Sequence, residues 1–556
     1  MLRQFKSIFK KICGPITLLV LITPPLLSDP SGPEEDPGKI SGFIDFSRNC
    51  SELSESFSIC INCRRSAFFL NSFSSRSTPA KNWPRALIEL SVLMTYASVR
   101  YWLTHKTRLE GVHKYRFTWK DQSRRIFNIK NWHFDGNCFD LNWPHYIAGA
   151  LYYNIARANT LGKNDAFLLT VASSSIWEFF IEHRSDISLN DQIITPLGGL
   201  VLGEAWYQLG NFLSNRTGLA YSILGFLNPI VKLNRWMDGG RQGPANDSAG
   251  PGWYDLSFVT GNRYEQPDSQ GAGPNFLFAG FHSQIIHPRE FGHPGRIGRY
   301  YRNPVFSEIK LALSLGKKGI EEIDIFSRLV FFAYMKQEIA ENHHGYSYFL
   351  GLGSGFTLFR KRTTGTMDSC DIKPQKGRDI DLEEPRDFSD KFSIFHLIGP
   401  VFDWTFSSNQ FRLRMILDGY LDFALVNATA FSKYSEDHDI RATKTTLLYY
   451  NYYYGLGTTL SSTLVFSFKN IILEGSVRYH LFDSIEGADA HQEEVADDLH
   501  LRDFRVIYQV KMRYRFPPTP LEFEVSYEGI VRGGVIESVS SRISDRRFFI
   551  GLRLRF

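Results

Sequence analysis

Neither sign of charge dominates this chain. Its 63 Lys and Arg stand against 58 Asp and Glu, a net +5 over 556 residues, which gives no case for a nucleic-acid partner. Long apolar runs are scarce too, and a mean hydropathy of −0.22 excludes a helical multi-span membrane protein. Cysteine is sparse at six residues. The pair in "CINC", Cys60 and Cys63, has no second such pair to complete a zinc site, so no metal or other cofactor follows from it. With Cys13 in the basic start that reads as a leader, Cys50, Cys60, Cys63, Cys138 and Cys370 remain; export favours a disulfide among Cys50, Cys60 and Cys63 or no role, and the odd number leaves at least one thiol free. What the chain has in excess is aromatic: 15% of residues, with 46 Phe and 26 Tyr. High aromatic content at middling hydropathy suits a β-barrel, where only every second residue meets lipid.

The first segment is basic to Lys11 and apolar from Ile16 to Leu27, then turns Pro-rich. That run is short for a bilayer span and reads as an export signal over residues 1–28. Residues 29–81, rich in Ser, Pro, Gly and charge, read as a disordered linker. From Trp83 to about Asn228 the apolar spacing is helical, with helices expected at 85–103, 145–159, 166–182, 196–213 and 219–227.

After about Pro251 the period becomes two. In "DFRVIYQVKMRYRF" (503–516), Phe504, Val506, Tyr508, Val510, Met512, Tyr514 and Phe516 share one face. Arg505, Gln509, Lys511, Arg513 and Arg515 share the other. "LEFEVSYEG" (521–529) alternates likewise, with Glu522, Glu524 and Glu528 on its polar side. Such alternation means strands with one apolar and one polar face. Tight turns at 407–410, 469–470 and 517–520 alternate with long polar connections at 362–391, 427–443, 484–502 and 532–544. The fold class expected is therefore an α+β membrane protein: an N-terminal helical domain (82–230), then an antiparallel transmembrane β-barrel of about twelve strands (250–556).

Arg505, Lys511, Arg513, Arg515, Glu522, Glu524 and Glu528 are expected to face the lumen as ion pairs between neighbouring strands, polar filling more than a selectivity filter, because the signs cancel. The final strand, "RRFFIGLRLRF", places Phe548, Ile550, Leu552, Leu554 and Phe556 on one face. It resembles the C-terminal signal of Gram-negative outer-membrane barrels, which the barrel-assembly machinery reads. The His-x-Ser-Asn-Gly motif of an outer-membrane phospholipase is absent. His282 beside Ser283 is a poor substitute, since strand neighbours point to opposite faces.

The helical part carries "WHFDGNCFDLNWPHYIAGALYYNIARANT" (132–160), "SSSIWEFFIE" (173–182), "SLND" (188–191), "TPLGG" (195–199) and "GE" (203–204). These motifs resemble a bacterial domain family of unknown function found in exported envelope proteins, in which a barrel follows. The resemblance spans about Trp83 to Pro229. Tyr146 stands where that pattern has Pro after the His, and Ile187 where Pro commonly precedes the Ser. It implies an exported envelope protein and brings no activity; the barrel and its final strand add an expected outer-membrane location, with outer-membrane lipids and the assembly machinery as partners.

Site candidates therefore come from the residues themselves. His145, Glu178, Glu182, Asp191 and Glu204 recur on successive helices. Glu178 and Glu182, one helical turn apart, are expected on one face. Together the five offer a divalent-metal cluster or a general base for lipid or peptidoglycan hydrolysis. No Glu-x-x-His spacing supports the metal reading, and none is assigned. The structural alternative is specific: a capping box from Ser188 to Asp191, a helix start at Thr195-Pro196, another at Asn142, and a Gly199/Gly203 strip for close packing. Glu178 or Glu182 would then accept from Arg157, Tyr152 or the Trp177 indole. The overall expectation is an envelope-transport or membrane-maintenance barrel with a periplasmic or plug-like helical domain. The alternatives are the hydrolase and adhesion through the long loops.

Overall fold

The computed structural model describes residues 80–108, 115–134, 140–239, 251–267, 273–302, 304–317, 319–361, 390–440, 443, 445–485 and 499–556. The expected leader, nearly all of the linker, all six cysteines and most of the acidic 484–502 loop lie outside the described residues.

The strand alternation closes into a barrel. Its strands are β3 (Trp253–Pro267), β4 (Asn275–Ile286), β6 (Phe306–Gly316), β7 (Gly319–Ile339), β8 (Gly345–Lys361), β9 (Lys391–Ser407), β10 (Phe411–Asn427), β11 (Tyr452–Phe468), β12 (Ile471–Ser484), β13 (Leu501–Arg515), β14 (Leu521–Ile536) and β15 (Val539–Arg555). β15 pairs with β3, and β7 pairs with both β6 and β8, so the twelve form a continuous antiparallel ring with no free edge. A short extra strand, β5 (Gly295–Tyr301), adds to the end of β7. A two-residue pair, β1 (Trp132–His133) with β2 (Ile187–Ser188), lies among the helices.

Connections differ from expectation at two places. The segment 532–544 is no loop: β14 and β15 meet in a two-residue turn at 537–538, where Glu537 takes φ 50°. Val535, Ile536 and Val539 continue the ladder, and the left-handed turn residue lets a two-residue hairpin follow the strand twist. Conversely, 287–305 is long although it sits at the end of the short turns, and it carries β5.

The helices ahead of the barrel are α1 (Trp83–Arg108), α2 (Trp119–Phe127), α3 (Trp143–Ala158), α4 (Lys163–Ile176), α5 (Leu189–Gly198), α6 (Glu204–Ser214), α7 (Leu219–Leu224) and α8 (Pro229–Met237), and two more, α9 (Phe431–Asp437) and α10 (Thr445–Tyr450), lie between β10 and β11. Two π-helical turns interrupt them: Trp177–Ile181 extends α4, and Gly199–Gly203 joins α5 to α6. Thr195-Pro196 therefore begins nothing; Pro196 lies inside α5, and the chain widens into the π turn just after it. Proline removes one backbone donor, and here the flanking packing holds the helix through that loss. Gly149 and Gly198 explain how α3 and α5 come so close. A Cβ on Gly149 would stand 1.8 Å from the Thr195 carbonyl oxygen, and one on Gly198 2.5 Å from Tyr146 backbone.

Among the described residues, the helices ahead of the barrel lie against its outer wall and not in its lumen. Tyr146, Ala150, Ile194, Leu197, Val201 and Leu202 pack with Phe356, Leu358, Phe395, Leu397, Phe423, Leu425, Tyr452 and Tyr454. Those barrel residues alternate with the inward-facing Thr357, His396, Asp422 and Tyr453, so they point outward. Farther round, α6 lays Ala205, Leu209, Phe212 and Leu213 on Leu256, Phe281, Ile285 and Ile309, again outward. Tyr146, at the position where the resembled pattern has Pro, has ring-centroid separations of 4.9 Å to Phe356 and 6.0 Å to Phe395. A buried Ser327 hydroxyl donates to the Val201 carbonyl at 2.9 Å, within the π turn.

Candidate functional site

The structure brings three of the five candidates together. His145 on α3, Glu178 in the first π turn and Asp191 on α5 place one ligand atom each within 4.8 Å of one another. Glu178 and Asp191 are each 1% exposed; His145 is partly open. His145 Nε2 lies 3.4 Å from Asp191 Oδ2. Asn142 Nδ2 donates to Asp191 Oδ1, as does Asn190 Nδ2 at 3.1 Å. Burial pushes the Asp191 carboxyl up to about 6, against the pull of the Asn142 and Ser188 hydrogen bonds.

The local sequence builds this corner. Ser188 caps α5, its Oγ accepting from Asp191 N at 3.3 Å. The reciprocal half of the capping box is replaced: Ser188 N donates to Glu178 Oε2 at 3.1 Å, which frees the Asp191 carboxylate to turn toward His145. Asn142 caps α3 from a left-handed backbone, φ 53°, makes no side-chain cap bond, and spends its amide on Asp191. Two consecutive left-handed residues, Leu141 and Asn142, thus set the approach of α3 to the cluster.

Glu182 and Glu204 lie elsewhere. Glu182 terminates the π turn and accepts from the Trp177 indole at 2.9 Å. It does not share the buried face of Glu178, because the wider turn and the helix end at 182 carry the chain away. Glu204 pairs with Arg157 at 2.9 Å and accepts from Gln208 at 2.7 Å. Burial opposes its charge, but Arg157 wins and holds it below the ordinary carboxylate range. The residue that sequence reasoning missed is Arg125. Fully buried, it donates to the carbonyls of Ser185, Phe179, Glu178 and Glu182 and ties off the open end of the π turn. Nothing in its local sequence signals that role, since its acceptors are carbonyls roughly sixty positions away.

In the lumen, Arg515 pairs with Glu522 at 2.9 Å, while Arg513 and Lys511 both reach Glu474, at 3.1 and 3.4 Å. Glu524 pairs with Arg553 at 2.8 Å, Glu528 with Arg547 at 3.1 Å, and Arg505 with Asp390 at 2.7 Å. The pairing therefore runs over more strands than adjacency in sequence suggests. Some pairs cross the lumen: Arg547 on β15 meets Glu322 on β7 at 2.9 Å, and Arg328 on β7 bridges Glu308 and Asp418. At the loop end, Phe431, Tyr434, Ile440, Leu447 and Leu448 fold inward onto Phe359, Phe392, Tyr453 and Phe482. A polar cavity of about 710 Å³ remains, reaching the short-turn end and lined by Trp253, Lys310, Arg412, Arg414, Glu474 and Lys511 among others. His282 faces this lumen, bonded to Glu308 at 3.0 Å, while Ser283 points outward and is buried, so the two form no catalytic pair. On β15, Phe548, Ile550, Leu552 and Leu554 are exposed outward, and Phe556 packs in the cluster with α6.

Fold and site together define a class: a twelve-stranded closed barrel with a helical layer on its outer wall and a buried His/Glu/Asp cluster in that layer. Residues 131–230 match the family described as "Domain of unknown function (DUF3943)", a span that contains all five candidates and begins later than Trp83. No curated protein matches the sequence. Among solved structures, the NanC porin is 6% identical over 54% of this chain and 100% of its own, with a TM-score of 0.22. The KdgM porin in complex with disordered oligogalacturonate is 10% identical over 54% and 99%, TM-score 0.18. The OmpT loop L8 deletion mutant, an outer membrane protein of Vibrio cholerae, is 9% identical over 55% and 99%, TM-score 0.20.

Proposed function

We propose that this protein sits in the bacterial outer membrane and works at its wall, in membrane maintenance, with its lumen shut to passive flow. The bilayer reading rests on the bare side of the barrel. Leu417, Leu421, Leu460, Leu464, Val477, Val510, Met512, Ile550 and Leu552 are all well exposed there, a larger apolar surface than a water-facing protein tolerates. Phe406, Phe411 and Phe466 form an aromatic row at the short-turn end, the place of an interfacial girdle in a membrane barrel. Outer-membrane lipids and the barrel-assembly machinery are the partners this implies.

The observation that carries the functional reading is where the polar work is done. The lumen's charges are spent on one another across its width, and Phe431, Tyr434, Ile440, Leu447 and Leu448 of the connection after β10 cap it with apolar side chains. The unusual polar groups, His145, Glu178 and Asp191, sit instead in the layer on the outer wall. Conductance of the purified protein in planar bilayers tests this. The expected result is a trace near the protein-free baseline; steady porin-like conductance from the wild type would overturn the shut-lumen reading.

A further inference from the structure

We propose that His145, Glu178 and Asp191 form a binding site for one divalent transition cation of the zinc or manganese class. Three different elements, α3, the first π turn and α5, converge to place an imidazole nitrogen and two carboxylate oxygens within 4.8 Å of one another. Zinc with nitrogen and oxygen ligands has bonds of ~2.0–2.2 Å, which sets its ligand atoms roughly 3.4 Å apart, so the three would close by about an ångström on binding. Mixed imidazole and carboxylate donors suit zinc, manganese or ferrous iron, and a set without thiolates disfavours soft ions.

The charge balance points the same way. Asp191 is 1% exposed, yet its described partners are two amides, from Asn142 and Asn190, the Ser188 hydroxyl, the Ser174 hydroxyl at its carbonyl, and His145. No Lys or Arg reaches the Asp191 carboxylate among the described residues. The buried guanidinium nearby, Arg125, spends its donors on backbone carbonyls, and its charge lies by Glu178 and Glu182, leaving Asp191 without a cation among the described residues. A buried carboxylate of this kind is costly unless a cation joins it. The carboxamides of Asn142 and Asn190 orient that carboxylate from behind, the arrangement that second-layer groups give to metal ligands. Three protein ligands leave at least one position of a four-coordinate ion open, as in catalytic zinc sites.

The proposal is independent of the shut-lumen reading, since conductance is blind to this site and metal binding is blind to the lumen. The test uses the full chain in detergent, stripped with chelator and titrated with Zn²⁺ or Mn²⁺ by calorimetry. The wild type is expected to bind one equivalent, and Asp191→Asn or His145→Ala to bind at least about tenfold more weakly. Glu204→Gln, outside the cluster, keeps wild-type affinity. Cobalt(II) added to the wild type alone supplies a readout that survives misfolding variants: it should develop visible ligand-field absorption that Zn²⁺ competes away. No binding by the stripped wild type, no cobalt spectrum, or equal affinity in folded Asp191→Asn protein overturns the site.

Discussion

Arg157 and Glu204 show how a charge pair is legible in kind but not in partner. The sequence offers Arg157 to Glu178 or Glu182; the fold gives it to Glu204, forty-seven positions away, at 2.9 Å. The folded Glu204 pKa lies below its ordinary 4.5, so its stabilisation is present above about pH 4.5 and lost as pH falls through the depressed value. Glu204→Gln should cost about 3 kcal/mol at pH 7, the lower end for breaking a buried pair, because Arg157 keeps some access to water. The same variant should flatten the acid limb of helical unfolding followed by circular dichroism; an unchanged acid limb would contradict the assignment. At Gly149, α3 and α5 leave no room for a methyl group beside the Thr195 carbonyl. Gly149→Ala should lose about 3 kcal/mol or more, since backbone on both sides cannot yield. Limited proteolysis would show it as faster cleavage between 143 and 214 with the barrel intact.

At the scale of elements, helix starts were readable only where the cap acts locally. Ser188 caps α5 as its spacing to Asp191 suggests, because the bond spans three residues. Thr195-Pro196 reads as a start by the same local rule and is helix interior, because α3 packs across it and holds the helix together. The Glu178/Glu182 pair fails for a related reason: periodicity of 3.6 places them on one face, and a π turn separates them. The lumen cap makes an element-scale prediction. Replacing 428–451 with a short turn removes the apolar lid, and Arg328→Ala removes a charge that bridges three strands. The two together should raise single-channel conductance above the wild-type baseline, with the lid deletion giving the larger share. A lidless barrel that still conducts nothing would mean the ion pairs alone shut it.

For the whole molecule, the outer wall is divided between lipid and helices. Under the helices lie Leu256, Phe281, Ile309, Phe356, Phe395 and Phe423, side chains of the same kind as Leu460, Val510 and Ile550 on the bare wall. Lipid can therefore replace the helical layer, and residues 251–556 alone should refold in detergent with heat-modifiable migration; failure to do so would make the layer part of the barrel's own core. Beneath the helices the wall also carries a buried serine, and Ser327→Ala should loosen the layer by about 1 kcal/mol, the worth of one neutral hydrogen bond, seen as faster amide exchange at 199–203. The sequence by itself determined a helical region followed by an antiparallel barrel, because period 3.6 and period two are set by backbone geometry within a few residues. Only the tertiary structure decided that the helices cover the wall and that three of five acidic or imidazole candidates meet. An apolar residue facing outward reads the same whether a lipid chain or a helix lies on it, and a cluster drawn from three elements has no spacing in sequence to betray it.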